Sequence, residues 1–198
     1  KEERKEMNYW TVEEYSKFSD EMMDKAISYY AFQMLYWTGI RVGELLALTA
    51  GDFDFKSGTV TINKSYQRLH REDVVTPPKT EKSNRTIKMP QFLCDEMQEY
   101  LKMFYSPSKN DRIFPVSKSY LHHEMDRGSK AAGVKRIRIH DLRHSHVSLL
   151  INQGYQAAAI ADRVGHETVE ITDRYTHIYP SKQNEMANTL DELWKERK

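Results

Sequence analysis

The sequence is nearly without cysteine. Cys94 stands alone, so no internal disulfide can form, and a reducing compartment such as the cytoplasm fits best. Glycine and proline are scarce, at 8 and 6 of 198 residues, which excludes collagen-like and Pro/Gly-rich disordered chains. No apolar run approaches the ~20 residues that span a bilayer. The opening KEERKE has no apolar stretch behind it, so no signal peptide is expected. Net charge is almost absent as well, at +1. Bulk charge therefore does not mark a nucleic-acid binder.

What is present is a globular composition: 39% hydrophobic and 30% charged residues, with a mean hydropathy of −0.77. A chain of this length folds as one fairly large domain, here residues 1–198, and buries roughly 70% of its unfolded surface. Position 1 is Lys rather than Met, so the sequence is expected to be a piece of a longer chain.

The charge is sorted rather than mixed. Arg127 to His146 holds Arg127, Lys130, Lys135, Arg136, Arg138 and Arg143 against Asp141 alone, and Lys79 to Lys88 holds Lys79, Lys82, Arg85 and Lys88 against Glu81. Val12 to Lys25 is the reverse, with five acids against two lysines. This pattern fits a basic face meeting a polyanion and an acidic face turned away, and it equally fits solvated surface runs. Lys82, Arg85, Lys135, Arg136 and Arg138 are the candidate contacts to such a polyanion.

Local signals give an α+β chain, mainly α. Thr11-x-x-Glu14 is a capping box, and Trp10 and Tyr15 stand where a hydrophobic staple falls, predicting a helix from Val12 to Lys25. A more apolar helix follows from Ala26 to Trp37, stopped at Gly39, and a short one from Arg41 to Leu48. Glycine turns and β-branched alternation then predict a small antiparallel sheet inserted near residues 52–89, interrupted at Pro77-Pro78. Further helices are expected at Gln91–Phe104, Ser119–Ala132, Asp141–Gln153, Ala157–Val164, Val169–Tyr175 and Ser181–Lys195. Ile113-Phe114-Pro115 forms a short anchor. In the last helix Met186, Leu190, Leu193 and Trp194 form one apolar stripe, which needs a partner in cis or in trans.

Three clusters carry chemistry. His140 and Arg143 are three apart near a helix start and share a face. Two cationic donors there suit a phosphate. His140 and His144, four apart, also have the spacing of a helical metal pair, but no HExxH or cysteine cluster accompanies them. Arg41 follows the Gly39 break at a helix start, where the helix dipole disfavours a cation. It meets an anion, pairs with Glu44, or does both. Gly165-His166 follows a short helix, with Tyr175 nine residues on.

Together these pieces resemble the tyrosine recombinase (phage-type integrase) family. TGIRVGELLAL is similar to the family's first arginine box. HDLRH, GH and RYTH are similar to its second, and PPKTEKSNRTI is similar to its β-hairpin lysine segment. The spacings of three (His140 to Arg143), 23 (Arg143 to His166) and nine (His166 to Tyr175) match, and the resemblance runs from about Thr11 to Tyr179. It implies a multi-helix catalytic domain without the family's N-terminal core-binding or arm-binding domains. The site it implies is Arg41, Lys79, His140, Arg143, His166 and Tyr175, with no metal and no cofactor.

In this resemblance the arginines hold the scissile phosphate and Tyr175 attacks it. His140 assists proton movement, His166 supports the phosphate and the tyrosine, and Lys79 protonates the 5′-oxygen. The implied activity is strand cleavage and rejoining in site-specific recombination through a 3′-phosphotyrosine. The implied partner is double-stranded DNA, bound by a homotetramer in the full-length protein and by a monomer of this piece. No membrane is involved, and the location is cytoplasmic, at the bacterial nucleoid. The alternatives are relaxation of DNA in the manner of a type IB topoisomerase, a non-catalytic DNA-binding module and, more remotely, a metal hydrolase built on the histidines.

Overall fold

The computed structural model describes residues 8–70, 72–78, 80–105, 108–166 and position 190. It is mainly helical, with a small β portion between the third and fourth helices. Helix α1 (Val12–Asp20) starts on the capping box: the Thr11 hydroxyl accepts from the Glu14 amide, and the Glu14 carboxylate accepts from the Thr11 amide. Trp10 and Tyr15 are both buried beside it. The helix stops five residues before the expected Lys25. The chain turns there because Arg127 accounts for its polar groups, bonding the Glu21 carbonyl and the Asp24 carboxylate.

Helix α2 (Ala26–Thr38) is the most apolar element and is buried along most of its length. Gly39 ends it at φ +68°, the left-handed conformation that glycine adopts without strain. A Cβ at Gly39 would lie 2.6 Å from the His146 ring, so close approach requires glycine as much as the turn does. Helix α3 (Val42–Ala47) follows at once.

The β portion contains two sheets where one is expected. Strands β1 (Phe53–Asp54), β2 (Thr59–Ile62) and β5 (Arg85–Lys88) form an antiparallel sheet in the order β1-β2-β5. Strands β3 (Ser65–Leu69) and β4 (Glu72–Thr76) form a separate two-stranded ribbon, which Pro77-Pro78 closes off from β5. The register pairs Val60 with Ile87 and Ile62 with Arg85. Alternation therefore turns Arg85 to the same buried face as Ile87, while Thr86 and Lys88 face out.

Helices α4 (Gln91–Lys102), α5 (Lys118–Ala132), α6 (Ile139–Asn152) and α7 (Ala157–Val164) complete the described chain. The main core includes Phe18, Phe32, Tyr36, Leu45, Phe114 and Leu142, while Val147, Ile160 and Val164 form a smaller cluster between α6 and α7. Ile113 and Phe114 are buried, as an anchor should be. The lone thiol of Cys94 is buried too, and burial pushes its pKa up. Among the described residues no helix is long and apolar enough to cross a membrane. The predicted helices at Val169–Tyr175 and Ser181–Lys195 lie outside the described residues.

Two buried polar clusters make the fold sensitive to acid. Glu124 on α5 accepts from Lys25, Ser28 and Arg127. Burial alone would raise its pKa, but these donors outweigh that and hold it down at about 2. His146 is fully buried, and Arg163 donates to its Nε2 at 3.1 Å. Desolvation first, then the Arg163 charge, bring its pKa to about 3, against an ordinary 6.5.

A histidine held neutral in the fold is protonated more readily once unfolded. Stability is therefore lost progressively as pH falls from 6.5 towards 3. The depressed Glu124 adds its own loss from about 4.5 towards 2. In urea titrations the stability of His146→Gln, whose side-chain oxygen can still accept from Arg163, is expected to fall less steeply between pH 6.5 and 4.5 than that of the unsubstituted chain. An unchanged slope would place the acid sensitivity elsewhere.

Candidate active site

Arg41 caps helix α3, and the dipole problem noted in the sequence is met by Glu44. The Glu44 carboxylate accepts from the Arg41 amide at 2.8 Å and from the Arg41 guanidinium at 3.0 Å. The arginine is then aimed across the molecule, donating to the Gly165 carbonyl at 3.1 Å. Its side chain remains 40% exposed, although both terminal nitrogens are anchored, one to Glu44 and one to Gly165.

Arg143 comes from α6 and is buried. It donates to the Gly39 carbonyl at 2.8 Å, two residues from Arg41. The glycine that ends α2 thus brings the arginines of the two boxes together. Helix α6 is capped at Arg138, five residues before Arg143. There the Asp141 carboxylate caps the Arg138 amide at 2.8 Å and takes its guanidinium.

Gly165 ends α7 at φ +71°, and the turn carries His166 inward, where it is buried. Its pKa is lowered to about 3, first by burial and then by Arg143 and Arg41, with His144 and His140 adding to the effect. His140 is exposed at the start of α6, and its pKa is lowered by desolvation and by Arg143. His144 stacks edge-on against His140 with ring centroids 4.8 Å apart, and burial followed by the His140 charge lowers its pKa to about 4. At neutral pH the site therefore holds two permanent cations beside neutral imidazoles. Such a set can bind an anion and can accept or relay a proton.

Of the six predicted residues the structure brings together Arg41, His140, Arg143 and His166. Lys79 and Tyr175 lie outside the described residues. Among the described residues no group of three or more His, Cys, Asp or Glu is placed to hold a metal ion.

The candidate DNA contacts divide. Lys82 and Lys135 are exposed, and Lys135 lies 3.6 Å from Glu14. Arg136 pairs with Asp126 at 2.6 Å, and Arg138 with Asp141. Arg127, counted with the basic face in the sequence, is tied to Glu124 and Asp24. Arg85 departs furthest from expectation: it is only 9% exposed, and its guanidinium grips Glu44 with two bonds of 2.9 and 3.1 Å. A charge run read along the sequence cannot separate these cases, because Glu44, which answers Arg85, and Asp24, which joins Glu124 in answering Arg127, come from other parts of the chain. The alternation Arg85-Thr86-Ile87-Lys88 was the available signal, since it places Arg85 on the side of the apolar Ile87.

Residues 7–182 match the phage integrase family. The chain belongs to that family. It is 36% identical over 209 residues to the ICEBs1 integrase of Bacillus subtilis (strain 168), covering 96% of this chain and 56% of the relative. It is 29% identical over 219 residues to the integrase of Staphylococcus phage L54a, covering 98% of this chain and 62% of the relative. The chain thus spans little more than half the length of these relatives.

Two solved structures share the fold of this integrase-family chain. The Tn1549 transposon integrase in complex with circular intermediate DNA superposes with a TM-score of 0.79 at 21% identity, over 96% of this chain and 68% of that one. The catalytic domain of bacteriophage HP1 integrase does so with a TM-score of 0.63 at 19% identity, over 93% and 95%.

Proposed function

We propose that this chain is the catalytic domain of a site-specific tyrosine recombinase. It cuts and rejoins DNA strands to integrate or excise a mobile element or phage. The observation that carries this reading is the convergence of Arg41 and Arg143, from separate helices, on Gly165-His166 and Gly39, with His140 alongside.

In this reading the two guanidiniums hold the non-bridging oxygens of a phosphodiester and offset the charge that grows in the transition state. The Tyr175 oxygen forms a bond to phosphorus as the bond to the 5′-oxygen breaks. The tyrosine proton passes to neutral His140, and the 5′-oxygen takes a proton from Lys79. A phenol of ordinary pKa near ~10 needs such help at neutral pH. The products are a 3′-phosphotyrosine and a free 5′-hydroxyl. The reverse attack rejoins the strand, because the phosphate linkage has been kept. Lys82 and Lys135 contact flanking phosphates. The full-length protein acts as a homotetramer on its DNA, in the cytoplasm at the nucleoid.

The test is covalent capture from a pool of duplexes with random flanks around a single 5′-bridging phosphorothiolate. A thiolate leaving group does not return efficiently, so cleavage accumulates as adduct. Adduct on Tyr175, formed equally in EDTA, is the expected result. No adduct on any duplex, or one that EDTA prevents, would overturn the reading. The same pool supplies the best-captured duplex as a probe.

A further inference from the structure

Arg85 was expected on a DNA-facing surface and is instead walled in. Its Nη1 and Nη2 donate to the two oxygens of Glu44 at 3.1 and 2.9 Å. Its Nε donates to the Arg163 carbonyl at 2.9 Å, in the last turn of α7, and its Nη1 also reaches the Ser83 carbonyl at 3.0 Å. A Cβ on Gly165 would lie 3.1 Å from the Arg85 guanidinium and 3.0 Å from the Lys82 carbonyl. One side chain therefore pins three segments to each other: the Arg41–Glu44 helix start, the stretch that follows Lys79, and the turn carrying His166.

The charge arrangement shows what this does. Glu44 sits between two guanidiniums. It shares one oxygen between the two arginine side chains, and the other accepts from Arg85 and the Arg41 amide. Burial alone would raise the Glu44 carboxyl, but Arg85 and then Arg41 hold it below its ordinary value, so it stays an anion. Arg85 is the buried partner, with a side chain 6% exposed, whereas that of Arg41 is 40% exposed. A fork-to-fork pair is the strong geometry for guanidinium and carboxylate. The negative charge of Glu44 is thus answered from inside the protein.

We propose that Arg85 is a positioning residue that neutralises Glu44, so that the positive charge of Arg41 is not cancelled by that carboxylate and its orientation is kept for the scissile phosphate. Without Arg85, the whole carboxylate charge faces Arg41 and turns it into a closed ion pair. The inference rests on the recombinase reading above.

The experiment uses the captured duplex as an ordinary phosphodiester and as a methylphosphonate, in which a methyl group replaces one non-bridging oxygen and removes the charge. Arg85→Gln is expected to lower phosphodiester cleavage by roughly 10- to 100-fold, the scale on which partners that orient a first contact act at metal sites, with DNA affinity nearly unchanged. The neutral substrate needs less cationic help, so the ratio of methylphosphonate to phosphodiester rates should rise by about tenfold, taking one lost unit of binding contrast as 1.4 kcal/mol.

Adding Glu44→Gln to Arg85→Gln removes the uncompensated anion and should recover most of the lost rate. The double variant also keeps the test alive if Arg85→Gln folds poorly. Equal losses on both substrates, or no recovery in the double variant, would overturn the positioning role. If the unsubstituted chain forms no adduct, the recombinase reading fails along with it. If that chain forms adducts and Arg85→Gln matches it on both substrates, only the role of Arg85 fails.

Discussion

Tyr175→Phe is expected to yield no covalent adduct on any duplex of the capture pool, against ready accumulation by the unsubstituted chain. The substitution removes one oxygen, and that oxygen is the atom proposed to bond to phosphorus. No other group can make the same bond from the same place, so the effect is a loss to background rather than a reduction. Binding should survive, because counterion release by Lys82 and Lys135 does not involve the phenol. Binding is read by fluorescence anisotropy at low salt and adduct by denaturing electrophoresis. Adducts persisting on Tyr175→Phe would transfer the role to Tyr155 or Tyr179. Among these only Tyr155 is described, and it is exposed.

The second large effect is expected from Arg143→Ala. The guanidinium is buried, bonded to the Gly39 carbonyl, and depresses both His140 and His166. Its loss removes one transition-state donor, which costs about 10²- to 10³-fold in rate. The same substitution relieves His166 of the nearest cause of its low pKa after burial. Its imidazole should therefore titrate closer to the ordinary 6.5, and cleavage should acquire an added pH dependence from His166 in that range.

Single-turnover cleavage across pH 5 to 8, with histidine resonances followed by NMR, checks both effects. A purely structural loss would lower the rate without moving the His166 titration. Arg143→Lys separates charge from geometry. An ammonium keeps the charge but cannot bond Gly39 and clasp two phosphate oxygens at once, so the rate should stay well below that of the unsubstituted chain while the His166 titration stays low.

The parts of the fold that were legible in the sequence rest on local physics. The capping box at Thr11 and Glu14, the Gly39 stop and the bounds of α7 each depend on residues within a turn of one another, and the structure reproduces them. The spacing of the boxes identified the family, because the residues of an arginine box are positioned by one helix start. Pairing between strands was less legible. Nothing within residues 65–76 says that β3 and β4 leave the main sheet, since that choice is made by what each strand packs against.

The sequence by itself determined the starts of α1, α2, α4 and α7, the family and the identity of the six residues proposed to act. Each of these is written in short-range spacing or in motifs. Only the tertiary structure decided which positive charges face outward and which are answered within. The Lys79 to Lys88 run reads as one basic surface, yet Arg85 turns inward to a carboxylate 41 positions away. Arg127 likewise reaches Asp24 across 103 positions. Ion pairing depends on distance in space and on local dielectric, and neither quantity is carried by the order of residues along a chain.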